Sequence, residues 1–205
     1  MGGPGRGPGR RPGSPDTRGA ILAAARSAFA ARGFDGTSTR AVAAAAGVAP
    51  GLVHHFFGTK DDLFVAALNL PFDPRKVLGA ALPGPPEGLG RRVATTVVGL
   101  WEDEARREQL LAFLRTVMTS PEAAGIVRMG IPAVGVPLLR SVVPLADAEV
   151  RVNLAMSQIL GMAVTRYVIG LEPLASLPPE QLVDRLAPVL QQHLLGPSPG
   201  TASGG

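Results

Sequence analysis

Apolar residues recur at helical spacing along almost the whole chain, and nowhere with the alternation of a half-buried strand. The first stripe is Ile21, Ala25 and Phe29, at i, i+4 and i+8, with Leu22 and Ala28 beside it. Asp16 or Thr17 is placed to cap this helix, and Gly33 to end it in a left-handed conformation, so that Phe34 folds back onto the stripe. Ser38 or Thr39 caps a second, short helix through about Ala46, which Gly47 stops. Val48 and Ala49 form the turn, and Pro50 suits the first position of a third helix, where its missing N–H costs nothing. That helix ends near Gly58. Thr59 caps a fourth, with Asp61 and Asp62 at the positive end of its dipole. Pro71 to Pro74 break the chain, a short helix reaches Leu82, and residues 83–86 form a loop. Helices follow near 87–103, 105–119, 121–143 (interrupted at Pro132 and Pro137), 147–170 and 179–195. The pattern predicts an all-α protein with no internal repeat.

A helix over 39–46, a turn at Gly47 and a helix over 50–57 have the spacing of a helix-turn-helix, in which the second helix enters the major groove. Projected at about 100° per residue, Val53 and Phe57 form the buried edge. Gly51 and His55 lie opposite, with Leu52 and His54 on the flanks. Gly51 lets the backbone approach a phosphate closely, and the two histidines offer hydrogen bonds to phosphate or a base edge. Lys60 and the start of the fourth helix are placed to grip phosphate. Thr37, Ser38, Thr39 and Arg40 open the second helix with hydroxyls, backbone N–H groups and a guanidinium. Two exposed helical histidines with no partner would give the same spacing. A metal site is disfavoured, because neighbours at i and i+1 diverge and no HExxH or cysteine accompanies them.

Composition narrows this further. Residues 46% apolar but only 4% aromatic imply small-residue helical packing. The absence of cysteine excludes disulfides, thiolate metal sites and a cysteine nucleophile, and fits a reducing cytoplasmic setting. The N-terminus has no apolar stretch of a signal peptide, and no unbroken apolar run of spanning length occurs, so no membrane partner is expected. No cofactor motif is found. An enzyme finds no support, since His193 stands alone and no nucleophile motif occurs. The net charge of +4 is uneven: residues 1–60 carry eight Lys and Arg against two acids, and residues 61–205 twelve against fourteen. A basic head on a slightly acidic body fits a polyanionic partner, although arginines on any solvated face give the same bias. Residues 1–15 and 196–205, rich in Gly, Pro and Ser, are expected to be disordered tails around a head over 16–60 and a body over 61–195. Arg6, Arg10, Arg11 and Arg18 suit either a minor-groove arm or a solvated linker.

The string ILAAARSAFAARGFDGTSTRAVAAAAGVAPGLVHHFFGTKDDLF, residues 21–64, resembles the DNA-binding domain of the TetR/AcrR family of repressors. The likeness lies in Ile21, Leu22, Phe29, Gly33, Phe34, Gly36, Thr37, Ser38, Val42, Ala43, Ala46, Gly47, Val48, Gly51, Phe57, Thr59, Lys60, Leu63 and Phe64. It implies an N-terminal three-helix helix-turn-helix domain followed by a helical ligand-binding and dimerisation domain. It further implies a homodimer that sets two recognition helices in successive major grooves of a double-stranded, pseudo-palindromic operator, and a small-molecule effector held in the body. Thr37, Ser38, Gly51, His54, His55 and Lys60 fall on family positions that usually touch DNA. Pro50, Leu52, His54 and Phe56 depart from common family residues, which alters the bases read and not the act of binding.

Residues Arg166 to Ala175 resemble one C-terminal subfamily of these regulators. That likeness assigns the last two long helices to a dimeric four-helix bundle. Leu154, Ile159, Met162 and Tyr167 on one helix, and Leu182, Leu186, Val189, Leu190 and Leu194 on the other, suit it; an intramolecular core would suit them as well. Candidate walls of an effector pocket are Trp101, Phe113, Met118, Met129, Met156 and Met162, with Asn153, Gln158 and Arg166 as orienting groups. Ordinary core packing accounts for each of these singly. The expected effector is largely hydrophobic and neutral or anionic. The reading is a dimeric repressor released from its operator by that effector; the alternative is a constitutive or architectural DNA-binding regulator with no effector.

Overall fold

Three of the first four helices begin with a capping side chain, and the other begins with a proline. In the computed structural model, which describes residues 16–70, 72–142 and 147–197, Asp16 accepts from the Gly19 amide at 2.9 Å and opens α1 (Thr17–Arg32). Ser38 accepts from the Ala41 amide at 3.1 Å and opens α2 (Thr39–Ala45). Pro50 begins α3 (Pro50–Phe57), and a reciprocal Thr59–Asp62 capping box begins α4 (Lys60–Leu68). Gly33, at φ 77°, holds the turn out of α1 in a region other residues rarely enter. Then come α5 (Pro74–Ala81), a 3-10 turn at Pro86–Gly88, α6 (Leu89–Glu102), α7 (Glu104–Thr119), α8 (Pro121–Val142), α9 (Ala148–Ala163) and α10 (Pro179–Leu195). No strand occurs among the described residues. Pro71, Arg6, Arg10, Arg11 and the tails over 1–15 and 198–205 lie outside them.

Two expectations are corrected. The helix over 121–143 is not interrupted, for α8 runs unbroken through Pro132 and Pro137. A proline removes one backbone bond and bends a helix rather than ending it when packing holds both sides. Here α1 and α4 flank α8, and α9 packs against it as well. The helix near 147–170 is not α-helical throughout: α9 passes into a π-helix over Val164–Ile169, closed by left-handed Gly170. By length and composition, α8 and the span Ala148–Ile169 could each cross a bilayer, with mean hydropathy of 1.3 and 1.2 over their best windows. Arg128, Arg140, Arg151 and Arg166 within them explain why the sequence shows no unbroken apolar run.

Two apolar cores form. The head core joins Ile21, Ala25 and Phe29 of α1 to Val42, Val53, Phe57 and the α4 residues Leu63, Phe64 and Leu68. Phe64 meets Phe29 edge-on at 4.9 Å and Phe34 at 5.1 Å between centroids. Burying a side chain such as Phe29 contributes roughly 2–3 kcal/mol. Ile126 of α8 is part of this same core, so α4 and the start of α8 pack with the head rather than with the body. The body core is led by α6 against α10, through Leu89, Val93 and Val97 facing Leu182, Leu186 and Leu190. Their crossing is close at Gly90, where a Cβ would stand 2.4 Å from the Ala187 carbonyl, and the Gly90 amide donates to Gln191 Oε1 at 2.7 Å.

Candidate nucleic-acid interface

The tight join between α2 and α3 fixes the presentation of α3. The Val48 amide donates to the Ala43 carbonyl at 3.0 Å and the Leu52 amide to the Ala49 carbonyl at 3.0 Å. Val53 is 1% exposed and Phe57 8%, so this edge anchors α3 in the head core. Pro50, Gly51, Leu52, His54, His55 and Phe56 are all exposed. Apart from its own helix's backbone and chain neighbours, nothing stands within 4 Å of a Cβ built on Gly51, which leaves room for close approach by another backbone. His54 Nδ1 lies 2.8 Å from the Gly58 carbonyl oxygen. A carbonyl only accepts, so Nδ1 carries the proton, and in the neutral ring Nε2 is left as an acceptor. The His55 ring stands edge-on to Phe56 at 5.2 Å.

Around α3 the expected contacts divide. Ser38 and Arg40 are exposed at the start of α2, and Thr39 is half-buried. Thr37 is different: it is 2% exposed, and its hydroxyl faces the carbonyls of Gly33 at 2.8 Å and Ala28 at 3.1 Å. Its hydroxyl therefore braces the turn between α1 and α2 instead of facing outward. Lys60 is half-buried, with its ammonium 4.3 Å from the centroid of the Phe34 ring. A cation over an aromatic face gains roughly 0.5–1 kcal/mol at a partly exposed site, enough to bias one position of the side chain.

Asp62, in the first turn of α4, is held as a carboxylate by its neighbours. Hydrogen bonds from Thr59 and from Arg75 lower its carboxyl from 3.8 to about 2. Arg75 reaches it at 2.8 Å and also bonds Asp73 at 3.0 Å, which ties α4 to the start of α5. Arg18 adds a guanidinium 5.3 Å from the Phe57 ring. The sequence reading missed the Phe34 seat for Lys60 and the Arg75 link, since both partnerships join residues too far apart for spacing to reveal.

In the body, the candidate effector residues do not meet in one cavity. Trp101 is buried and stacks on Tyr167 at 5.2 Å. Tyr167 donates to Glu102 Oε1 at 2.9 Å, and buried Arg166 bonds the same oxygen at 2.9 Å and also the Leu174 carbonyl. Burial, then the bond to Glu102, raise the Tyr167 phenol to about 12. Met162 belongs to the body core. Met156 lines a small apolar cavity of about 80 Å³ between α6, α8 and α9. Met129 packs on the head core. Met118, Asn153 and Gln158 are exposed. Phe113 alone of the set lines the cavity of about 510 Å³ between head and body.

The model for bacterial regulatory proteins of the tetR family matches residues 21–67, and that for the tetracyclin repressor-like C-terminal domain matches residues 87–194. A TetR-family regulator from Streptomyces coelicolor A3 is 37% identical, over 91% of this chain and 99% of that one, with a TM-score of 0.42. A transcriptional regulator from Rhodococcus sp. Rha1 is 29% identical, over 90% and 100%, with a TM-score of 0.42. The multidrug binding protein EbrR, solved with proflavin, is 21% identical over 85% and 99%, with a TM-score of 0.45. No curated protein matches. With one model on the head, a second on more than half of the chain, and a 37% identical relative aligned over nearly all of its length, this chain belongs to the tetR family of bacterial regulatory proteins: it is a DNA-binding transcriptional regulator and not an enzyme.

Proposed function

We propose that this regulator is a cytoplasmic homodimeric repressor that leaves its operator when a small molecule fills the body. The observation that carries the DNA-contact reading is the sorting of α3, with Val53 and Phe57 buried and Gly51, His54 and His55 exposed beside Ser38, Arg40 and Lys60. Ser38, Thr39, Arg40 and Lys60 hold phosphates, and Pro50, Gly51, Leu52, His54, His55 and Phe56 face the groove. Thr37 acts one step back, by bracing the turn. The head spans 16–60 with α4 packed beneath it, and the body follows to residue 195.

Dimerisation is supported by apolar residues left in the open on the last helices: Leu154 is 45% exposed, Leu160 43% and Val189 38%. Large apolar side chains left exposed on both helices are what an interface between two copies would cover. Two-fold symmetry then sets the two α3 helices about one DNA turn apart, roughly 34 Å. A ligand releases DNA only to the extent that it prefers the released geometry.

The test is transcription in vitro from the promoter upstream of the protein's own gene, with anisotropy on the same DNA. Wild type should lower transcript yield and bind with a steep salt dependence. His55→Ala and Lys60→Ala should both lose binding with the fold intact, and Leu154→Asp should yield a monomer that binds weakly. Full binding by both head variants would remove the contact assignment. Increased transcript yield would remove the repressor reading.

A further inference from the structure

A half-open cleft of about 510 Å³, within the range of small-molecule sites, lies at the junction of head and body. Its walls come from both parts: Arg26 of α1, Leu70 just beyond α4 and Ile126 of α8 on the head side, and Gln109 and Phe113 of α7 on the other. Arg26 is the notable member. It is half-buried, and its Nε donates to the Ala67 carbonyl at 3.2 Å, closing the end of α4. It forms no ion pair among the described residues, and its terminal nitrogens have no described partner. Glu122 is the single acid of the lining, but it is exposed, accepts from the Ser27 hydroxyl at 3.1 Å and sits in the first turn of α8, whose dipole offsets its charge. A half-buried guanidinium with no ion pair among the described residues, in a cleft whose lining mixes polar groups with Phe113, Leu70 and Ile126, suits one class of guest.

We propose that this junction binds an amphiphilic organic acid, its carboxylate or comparable acidic group on the Arg26 guanidinium and its apolar body against Phe113, Leu70 and Ile126. A guanidinium meets an acid through two parallel, charge-assisted hydrogen bonds, whereas a hydroxyl head has a single neutral acceptor oxygen and a quaternary ammonium none. Such a guest touches α1, the end of α4 and the start of α8 on the head side and α7 on the other. As the trigger of DNA release it rests on the effector reading above.

The experiment uses the full chain and 8-anilinonaphthalene-1-sulfonate as a fluorescent anionic probe, displaced by decanoate, 1-decanol or decyltrimethylammonium. The expected result is saturable probe binding, with decanoate displacing it at a concentration at least tenfold below either of the other two. Arg26→Gln should weaken decanoate about tenfold and leave 1-decanol unchanged, and Arg26→Lys should restore part of the loss. Ala112→Trp places a bulky ring in the groove from an exposed position, sparing both cores, and should abolish decanoate displacement. Equal displacement by all three compounds, or displacement indifferent to Ala112→Trp, overturns the site. DNA anisotropy on the same samples separates the two readings. Decanoate that binds here while DNA stays bound leaves the site standing and removes release by this guest. Release by a compound that ignores Ala112→Trp removes the site as the trigger and leaves effector-driven release intact.

Discussion

Replacing Thr37 by valine tests whether this residue serves the fold or the DNA. Valine keeps the shape of threonine and removes only the hydroxyl, which in the structure faces the Gly33 carbonyl at 2.8 Å and the Ala28 carbonyl at 3.1 Å. A net hydrogen bond contributes about 0.5–1.5 kcal/mol, and a buried carbonyl left without its donor costs about 1–3 kcal/mol. The residue is 2% exposed, so water does not replace the lost donor without local opening. A loss of about 2 kcal/mol is expected, partly softened by the better burial of a methyl group. For a chain of this length that corresponds to about 4–8 °C in melting temperature. Circular dichroism melts give the stability, and fluorescence anisotropy on promoter DNA at 20 °C, well below the melt, gives the affinity. Affinity should change less than about threefold, an energy below 0.7 kcal/mol on a scale where about 1.4 kcal/mol is tenfold. A variant that melts like wild type but binds DNA tenfold more weakly would refute the reasoning, because the hydroxyl would then be facing phosphate.

Three further outcomes follow from the geometry. Arg151 is buried, bonds Asp147 at 2.7 Å and donates to the Gly196 carbonyl at 2.8 Å, which ties the end of α10 to α9. Arg151→Met should lose about 2–3 kcal/mol, read as a lower urea midpoint; an unmoved midpoint would sink the claim. Asp62 is held at about 2 in the folded protein against an ordinary 3.8, so its stabilisation is present above about pH 4 and fades as pH falls toward 2. The difference in melting temperature between wild type and Asp62→Asn should therefore be constant from pH 7 to 5 and shrink below that, and it stays small because the carboxylate is 43% exposed; a constant difference down to pH 2 contradicts it. At Gly130 a Cβ would stand 2.5 Å from a Leu68 methyl, so Gly130→Ala should cost about 1–3 kcal/mol by overpacking, and Leu68→Ala should recover much of it in a double-mutant cycle; purely additive losses would argue against the contact.

Much of the head was legible because its signals are local. Caps at Asp16, Ser38 and Thr59 act within three residues, Gly33 is needed where the turn demands positive φ, and a period of 3.6 separates Val53 and Phe57 from His55. The role of Thr37 was not, since a hydroxyl beside a helix start looks the same whether it faces inward or outward. Prolines in α8 were read as breaks because proline weakens a helix locally, while the packing that overrides it comes from distant segments. The π-helix after Ala163 has no local marker in composition. Least legible was the body: Trp101, Met118, Met156 and Phe113 share apolar character, yet one is stacked in the core, one is exposed and the other two line separate cavities. Chemical type says that a residue can line a pocket; only the packing of α6 to α9 decides which pocket.

The unbroken course of α8 bears on modularity. Ile126 sits in the head core and Leu139 in the body core, on one rod. A graft that joined this head to another regulator's body at residue 60, or even at 70, would strip Ile126 and Met129 from the head and leave Ala30 and Leu68 with a raw face. The transplantable unit is discontinuous, residues 16–70 plus the first turns of α8, so a working chimera must import both pieces or redesign the seam. The same rod makes it costly for either core to melt alone, and a single cooperative transition is the behaviour such a shared beam imposes.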